Sequence, residues 1–478
     1  MRNYLLVIFL IQLFMLQSQN PPDTLWTRSF DLNDIEYATS VQQTSDNGFI
    51  FAGYTIRLLQ NIHEVWVVKT NEIGEEEWNY LYGGDSYDEA FSIIECSSGG
   101  FIIAGITSSY GAGLSDMWLL KVDESGNEEW DNTFGGSSPD HAYSVKETYD
   151  HGYIIAGATK SFSAVEFDVL LVKTDEEGNQ QWLQTYGGLE NDFAYSVDTT
   201  IDGGYVIAGY TSSYGSGNQD FWVIKVDEMG ILEWEQTFGG VEPDKAYSIE
   251  QTIDGGYIVA GCTESFGSIN EDFWLIKLDE DGEEVWNHTY HHLNDIAYSV
   301  EQTNDDGYII AGESNNSYWI VKTDYNGSEM WNQEFEADIA CARSVHQTID
   351  NGYIIAGYAA LSTYNSDAWL IRLESEVNTN QNEIANPLIH IYNYPNPFNP
   401  STTFYFSILK QADMKISIYN VKGEIVQTIF HNNANPGNYS VTWNGDDNKF
   451  NPLDSGVYFY RLDIDGKIRY VNKCLLLK

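Results

Sequence analysis

The chain has 478 residues, with 23 Lys and Arg against 71 Asp and Glu, for a formal charge of −48. So acidic a protein is a poor partner for nucleic acid or anionic membranes, and both are set aside. Aromatic content of 14% with 41 glycines suits repeated β-structure rather than disorder.

Residues 1–18 read as a signal peptide: Arg2 gives a positive start, and Tyr4–Leu16 is an apolar run too short to span a bilayer. No cysteine follows that run, which argues against a lipoprotein anchor, and no other stretch is long and apolar enough for a transmembrane segment. The mature chain is expected to be secreted or held on the outer cell surface. The four cysteines, Cys96, Cys262, Cys341 and Cys474, share no repeat position or metal-ligand spacing, so isolated buried thiols are expected.

Next comes a lone strand-like run, Leu25–Phe30, and then seven copies of one unit. A small residue recurs as Ala38, Ala90, Ala142, Ala194, Ala246, Ala297 and Ala342, stepping by 52 four times and then by 51 and 45. A glycine follows as Gly53, Gly105, Gly157, Gly209, Gly261, Gly312 and Gly357. In the fourth copy, period-2 runs fall at Tyr195–Thr199, Tyr205–Thr211, Phe221–Asp227 and Leu232–Phe238, separated by Gly-containing turns. Each unit is thus a four-stranded antiparallel sheet that needs neighbours on both faces. Units of this size are propeller blades. The last unit, ending at Ile371, lacks a fourth strand, and Leu25–Phe30 can supply it. Residues 19–373 are therefore expected to form a seven-bladed β-propeller closed by its N-terminal strand.

Tryptophans recur in two series, one from Trp26 to Trp331 and one from Trp66 to Trp369 broken at Leu170, and they are expected to fill the space between blades. The Ala-Gly pairs suit close backbone approach. A basic residue recurs as Lys69, Lys121, Lys173, Lys225, Lys277, Lys322 and Arg372. An acid recurs as Glu36, Asp88, Asp140, Asp192, Asp244 and Asp295, with Ala340 breaking the series. A structural ion pair or turn hydrogen bond in each blade explains both series.

Three features could carry function. Tyr110, Phe162, Tyr214 and Phe266 occupy one position in the loops after the second strands, where they either bind a ligand on one rim or tuck over the blade edges. The sixth unit has a shortened loop at Glu313–Asn316 and His291-His292 in place of Gly-Gly; His288, His291, His292 and Asp295 are conceivable metal ligands, although repeat drift is the preferred explanation. Acidic turns such as Asp279–Gly282 and Asp305–Gly307 lack a complete calcium loop, so hairpin turns are expected, with at most weak surface Ca²⁺ and no other cofactor.

Residues 374–388 are polar and Asn-rich and form a linker. Beyond it, short alternating runs at Thr402–Ile408, Lys415–Val421, Ile425–Phe430, Tyr439–Trp443, Val457–Asp463 and Ile468–Leu477 indicate a small immunoglobulin-like β-sandwich over 389–478. The fold class is all-β throughout.

The stretch Tyr394, Pro395, Asn396, Pro397, Phe398, Asn399, Pro400, continuing to Thr403, resembles the C-terminal sorting domain of proteins exported by the bacterial type IX secretion system. Ile418–Gly423, Trp443–Gly445, Ser455–Tyr460 (with Gly456 and Tyr458) and the terminal run to Lys478 extend the match over about 90 residues. The resemblance implies Sec export, passage across the outer membrane by the type IX machinery, and in many members removal of the domain. The repeats more loosely resemble bacterial secreted seven-bladed propellers, an architecture that carries no shared chemistry. No Ser-His-Asp elbow or phosphate loop is present, which weakens an enzymatic role. The expected function is an exported interaction protein whose propeller loops meet a glycan or protein. A structural or adhesive surface component and a secreted polysaccharide-acting enzyme are the alternatives.

Overall fold

The computed structural model describes residues 20–162, 166–267, 270–362, 365–376, 388–394, 400–408, 411–420, 422, 425–435, 437–449, 451–453, 455–464 and 467–476. The segment expected to be a signal peptide and most of the expected linker lie outside them. The chain divides into two compact units, residues 1–377 and 378–478.

The first unit holds seven four-stranded antiparallel sheets in sequence order. The fourth blade is representative, with strands Asp192–Thr199, Tyr205–Thr211, Asp220–Val226 and Leu232–Phe238. The seventh is completed from the other end of the chain: Thr24–Phe30 pairs antiparallel with Asn365–Leu373, from Phe30 opposite Ala368 to Thr24 opposite Leu373. First strands touch one another in order around the molecule, and the seventh, Ile339–Gln347, touches the first, Ile35–Gln43, so the sheets form a closed β-propeller.

Its core is divided into seven clusters, each shared by two adjacent blades. Between blades one and two, for example, Ile50, Ala52, Val65 and Val67 meet Ala90, Ile93, Ile103 and Trp118. Third-strand tryptophans such as Trp66, Trp118, Trp222, Trp274 and Trp319 are buried there, and Trp78, Trp182 and Trp234 seal the cluster edges. Both tryptophan series thus serve inter-blade packing, where burying large rings stabilises the stack.

The first strands begin three residues earlier than alternation alone indicates, at Asp192 rather than Tyr195 in the fourth blade. The cause is a β-bulge. In all seven blades the register shifts between the recurring alanine and the serine two residues on, leaving one residue unpaired. Pairing then resumes upstream, Asp192 lying opposite Thr211. Opposite the bulge stands the recurring glycine. A Cβ added at Gly209 would lie 1.8 Å from the Phe193 carbonyl oxygen, and one at Gly105 would lie 1.9 Å from that of Glu89. No larger residue fits there.

Polar bonds tie each blade to the next. The serine after each bulge accepts a hydrogen bond from a backbone N–H one blade on, as in Val145 N to Ser92 Oγ at 3.3 Å and Val197 N to Ser144 Oγ at 3.2 Å. The series closes on itself with Val41 N to Ser344 Oγ at 3.2 Å. The recurring acids are buried and hold the loop that follows the second strand: Asp192 accepts from Ser213 Oγ at 2.7 Å, Gly188 N at 2.9 Å and the Thr211 hydroxyl. The recurring cations lie flat under the first hairpin turn, where Lys225 Nζ reaches Asp202 at 2.9 Å and Glu233 at 2.8 Å. Lys121 differs, donating to the Gly99 carbonyl and pairing with Glu129.

The second unit has a three-stranded sheet of Leu388–Tyr394, Thr402–Ile408 and Gly437–Trp443, and a four-stranded sheet of Ile425–Ala434, Ala412–Tyr419, Gly456–Ile464 and Lys467–Leu476. Phe404, Phe406 and Trp443 of one sheet share a core with Met414, Ile416, Ile418, Tyr460 and Leu462 of the other, which makes the unit a β-sandwich. All four cysteines are free and buried, and burial pushes the Cys96 thiol up to about 11 and that of Cys474 to about 12.

Candidate functional site

The bulge decides what lines the central channel. Its unpaired residue directly follows the recurring alanine: Thr39, Phe91, Tyr143, Tyr195, Tyr247, Tyr298 and Arg343, in blade order. All seven border a channel cavity of about 400 Å³, together with Tyr37, Tyr54 and Tyr358. The rings touch in series. Centroids are 5.3 Å apart for Phe91 and Tyr143, 5.1 Å for Tyr143 and Tyr195, 5.0 Å for Tyr195 and Tyr247, and 5.1 Å for Tyr247 and Tyr298. The Arg343 guanidinium continues the series 4.0 Å from the Tyr298 ring and 5.9 Å from Tyr358. Tyr358 meets Tyr37 at 4.6 Å, Tyr37 meets Tyr54 at 5.0 Å, and Tyr54 closes the circle on Phe91 at 6.3 Å. The result is an unbroken aromatic collar with one guanidinium in it.

Each first strand starts at the rim bearing the loops after the second strands, so the collar lies toward that rim. Three residues further along the same strands is a second ring: Gln42, Ile94, Lys146, Asp198, Glu250, Glu301 and His346. Here Lys146 pairs with Asp198 at 3.4 Å and His346 with Glu301 at 2.8 Å. Each carboxylate also accepts a backbone N–H from the next blade: Gln251 N to Asp198, Gln302 N to Glu250 and Gln347 N to Glu301, at 2.9, 2.7 and 3.1 Å. Glu250 has no basic partner at ion-pair distance among the described residues; burial, then Glu301 and Asp198, raise its carboxyl well above the usual range. Burial alone would lower His346, and the adjacent Glu301 carboxylate outweighs it and raises it. Chemically, the collar offers π faces and one fixed cation, and the second ring, a polar belt, offers a carboxyl whose charged form burial disfavours.

The rim aromatics are placed at the blade edges. Tyr110, Tyr214 and Phe266 lie with ring centroids 5.7, 5.5 and 5.2 Å from Trp118, Trp222 and Trp274. The Tyr110 hydroxyl donates to the Gly83 carbonyl at 2.9 Å, and that of Tyr214 donates to Gly187 at 2.7 Å. Phe162 holds the same position, with Leu170 in place of the tryptophan. All four stay between 43% and 47% exposed, so each caps its blade and presents one face to solvent.

The histidines of the sixth-unit region are not drawn together. His288 Nε2 meets the Asn326 carbonyl at 3.0 Å, His291 faces Asp272 at 3.5 Å, and His292 faces Glu334 at 3.2 Å while its backbone N–H donates to Asp295. These three and Asp295 share no group of close ligand atoms. The shortened loop is a two-residue turn in which Asn315 and Asn316 have φ of 47° and 70°. In the acidic turns, Asp279 accepts backbone N–H groups from Asp281 and Glu283, and Asp305 pairs with Lys322. Of the sorting-motif residues, Pro395–Asn399 and Lys478 lie outside the described residues. Tyr394 ends a strand, Gly456 opens one, and Tyr458 packs 5.4 Å from Trp443 in the sandwich core.

Neither the collar nor the belt was found from the sequence. The signal was there: an aromatic follows the recurring alanine in five of seven blades and Arg343 in the last. Strict alternation, however, assigns that position no channel-facing role unless the bulge is known.

A family model for the FlgD Ig-like domain matches residues 399–465. No curated protein matches the chain. Among solved structures, PorZ, a surface component of the type IX secretion system of Porphyromonas gingivalis, is 12% identical with a TM-score of 0.42, covering 92% of this chain and 59% of its own. This chain thus spans under two thirds of the length of that one. A fungal alcohol oxidase of the AA5 family, in complex with copper, is 10% identical with a TM-score of 0.50, covering 96% of this chain and all of its own. Drosophila Plexin A in complex with Semaphorin 1b is 9% identical with a TM-score of 0.44, covering 75% of this chain. At such identities the likeness is one of fold alone.

Proposed function

We propose that the protein is an exported or surface-held receptor whose propeller binds the end of an acidic glycan in its channel mouth, and whose C-terminal domain directs export by the type IX machinery. The observation that carries the binding reading is the closed collar with its single cation. Tyrosine faces suit sugar rings, a guanidinium suits a carboxylate, and a cavity of about 400 Å³ suits one or two sugar units. Tyr110, Phe162, Tyr214 and Phe266, on the same rim, would meet the rest of the chain as it leaves the channel. The sorting reading rests on the Tyr394–Thr403 motif and the β-sandwich that carries it.

A second reading, a rigid display body, draws on the complete serine ring and the regularity of the blades. Calorimetric titration of residues 19–478 with neutral and uronic-acid oligosaccharides separates the two. Saturable binding of the acidic series, weakened at least tenfold when Tyr195 and Tyr247 become Ala, with the preference for acid lost in Arg343→Gln, supports the receptor. Absence of binding in both series favours the display body.

A further inference from the structure

At the junction between two blades, the aspartate opening a third strand lies beside the aspartate opening the next blade's first strand, and a glycine connector passes between them. A Cβ added at Gly135 would stand 2.4 Å from Asp116 Oδ1 and 2.5 Å from Asp140 Oδ2; Gly187 and Gly239 repeat this with Asp168 and Asp192, and with Asp220 and Asp244. Any side chain at this connector position is therefore aimed at two carboxylates. His291 occupies it at the fifth junction and supplies the expected complement, facing Asp272 at 3.5 Å.

The seam between the seventh and first blades breaks this logic. Its connector residue, directly after the closing strand, is Asp31, and the flanking acids are Asp367 and Glu36. A third carboxylate stands where the first four junctions have glycine and the fifth has His291; the sixth has Glu336, but beside Ser317 and Ala340 rather than between two acids. One oxygen from each of the three lies within 4.8 Å of the others. None of the three forms an ion pair with a basic side chain of the described residues. Glu36 is also short of donors. At an ordinary junction both oxygens of the first-strand acid are held, as Asp140 is by Thr159 and by Ser161 and Gly136, although the third-strand acid Asp220 leaves its Oδ1 without a partner. Glu36 is fully buried, and only its Oε1 is served, by Asp34 N at 3.1 Å and Thr55 Oγ1 at 3.3 Å; Oε2 has no partner. A fully buried carboxylate oxygen without a donor is costly unless the group takes up a proton or something positive meets it.

We propose that Asp31, Glu36 and Asp367 form a divalent-cation site that locks the ring at its seam. An all-carboxylate set of hard oxygens suits Ca²⁺, which tolerates an irregular shell completed by water. Asp31 is exposed, which leaves an entry path. The ion would join the end of the closing strand to the first blade through Glu36 and to the seventh through Asp367.

The test is thermal unfolding of residues 19–478 in EDTA and in 1 mM Ca²⁺, together with equilibrium dialysis to count bound Ca²⁺. One tightly held ion per chain and a rise in Tm of about 3–5 °C are expected. Asp31→Gly restores the residue that the first four junctions carry, so it folds; it should lose both the ion and the Tm response, as should Glu36→Gln. Absence of a bound ion in the wild type overturns the site, as does a response undiminished in Asp31→Gly, which would place the ion in the turns. The glycan titration is independent of either result.

Discussion

At the scale of single residues, titration divides the propeller into two opposing groups. Under the first hairpin turns, burial would raise the aspartates, but bonds from a lysine or arginine and from a threonine outweigh it. Asp46 is held at about 2, and Asp150, Asp202, Asp254, Asp305 and Asp350 also lie below the usual range. A depressed folded pKa contributes stability that is present above the unfolded value near 4 and is lost as pH falls through the folded one. Glu250 and His346 act in the opposite sense. Their raised folded pKa values give stability that is full below the unfolded values, about 4.3 and 6.5, and is lost as pH rises through the folded ones. The melting temperature should therefore fall steeply below pH 4 and decline gently as pH rises above the unfolded values. Glu250→Gln keeps the acceptor for Gln302 N and removes the charge, so it should abolish much of the decline above the unfolded Glu value while leaving the fall below pH 4 unchanged. A parallel profile in the variant would show that the belt does not titrate as described.

At the scale of elements, the closing strand is the weak point of a ring whose other sheets are made from consecutive residues. Removing Thr24–Phe30 deletes the partner of Asn365–Leu373 and takes Phe30 and Trp26 from the cluster between blades seven and one. It also bares a sheet edge, which invites pairing between chains. A chain starting at residue 31 should melt at least 10 °C lower and form dimers or larger species by size exclusion; an unchanged monomer would mean that the strand is dispensable. This element was legible from sequence, because Leu25–Phe30 and the unit ending at Ile371 are complementary halves of one blade. Blade number, tryptophan packing and the need for glycine beside alanine were equally legible, since each repeats at a fixed step. The bulge was not. Alternation places Tyr195 within a regular strand, and only the pairing of Ala194 with Gly209 and Ser196 with Ala208 shows it to be the extra residue. The collar was missed for that reason. The seam was missed because Asp31 looks like an ordinary linker residue until its junction is superimposed in thought on that of Gly135.

At the scale of the whole molecule, the two units each have their own sheets, and no described strand of one enters a sheet of the other. The propeller closes on its own N-terminal strand, and the sandwich core is built from Phe404, Trp443, Tyr460 and their neighbours. This independence makes the export proposal testable without the usual ambiguity. Deleting 389–478 removes the motif at Tyr394–Thr403 and the whole sandwich, yet it takes no strand and no core residue from the ring. The truncated protein should unfold with the propeller's own transition, and with folding intact its location reports on sorting alone. Fractionation of cells producing it should find the chain in the periplasm, whereas the full chain reaches the outer surface or the medium. A folded, truncated propeller outside the cell would refute the sorting role of the domain and leave the acidic-glycan receptor to be judged on its channel.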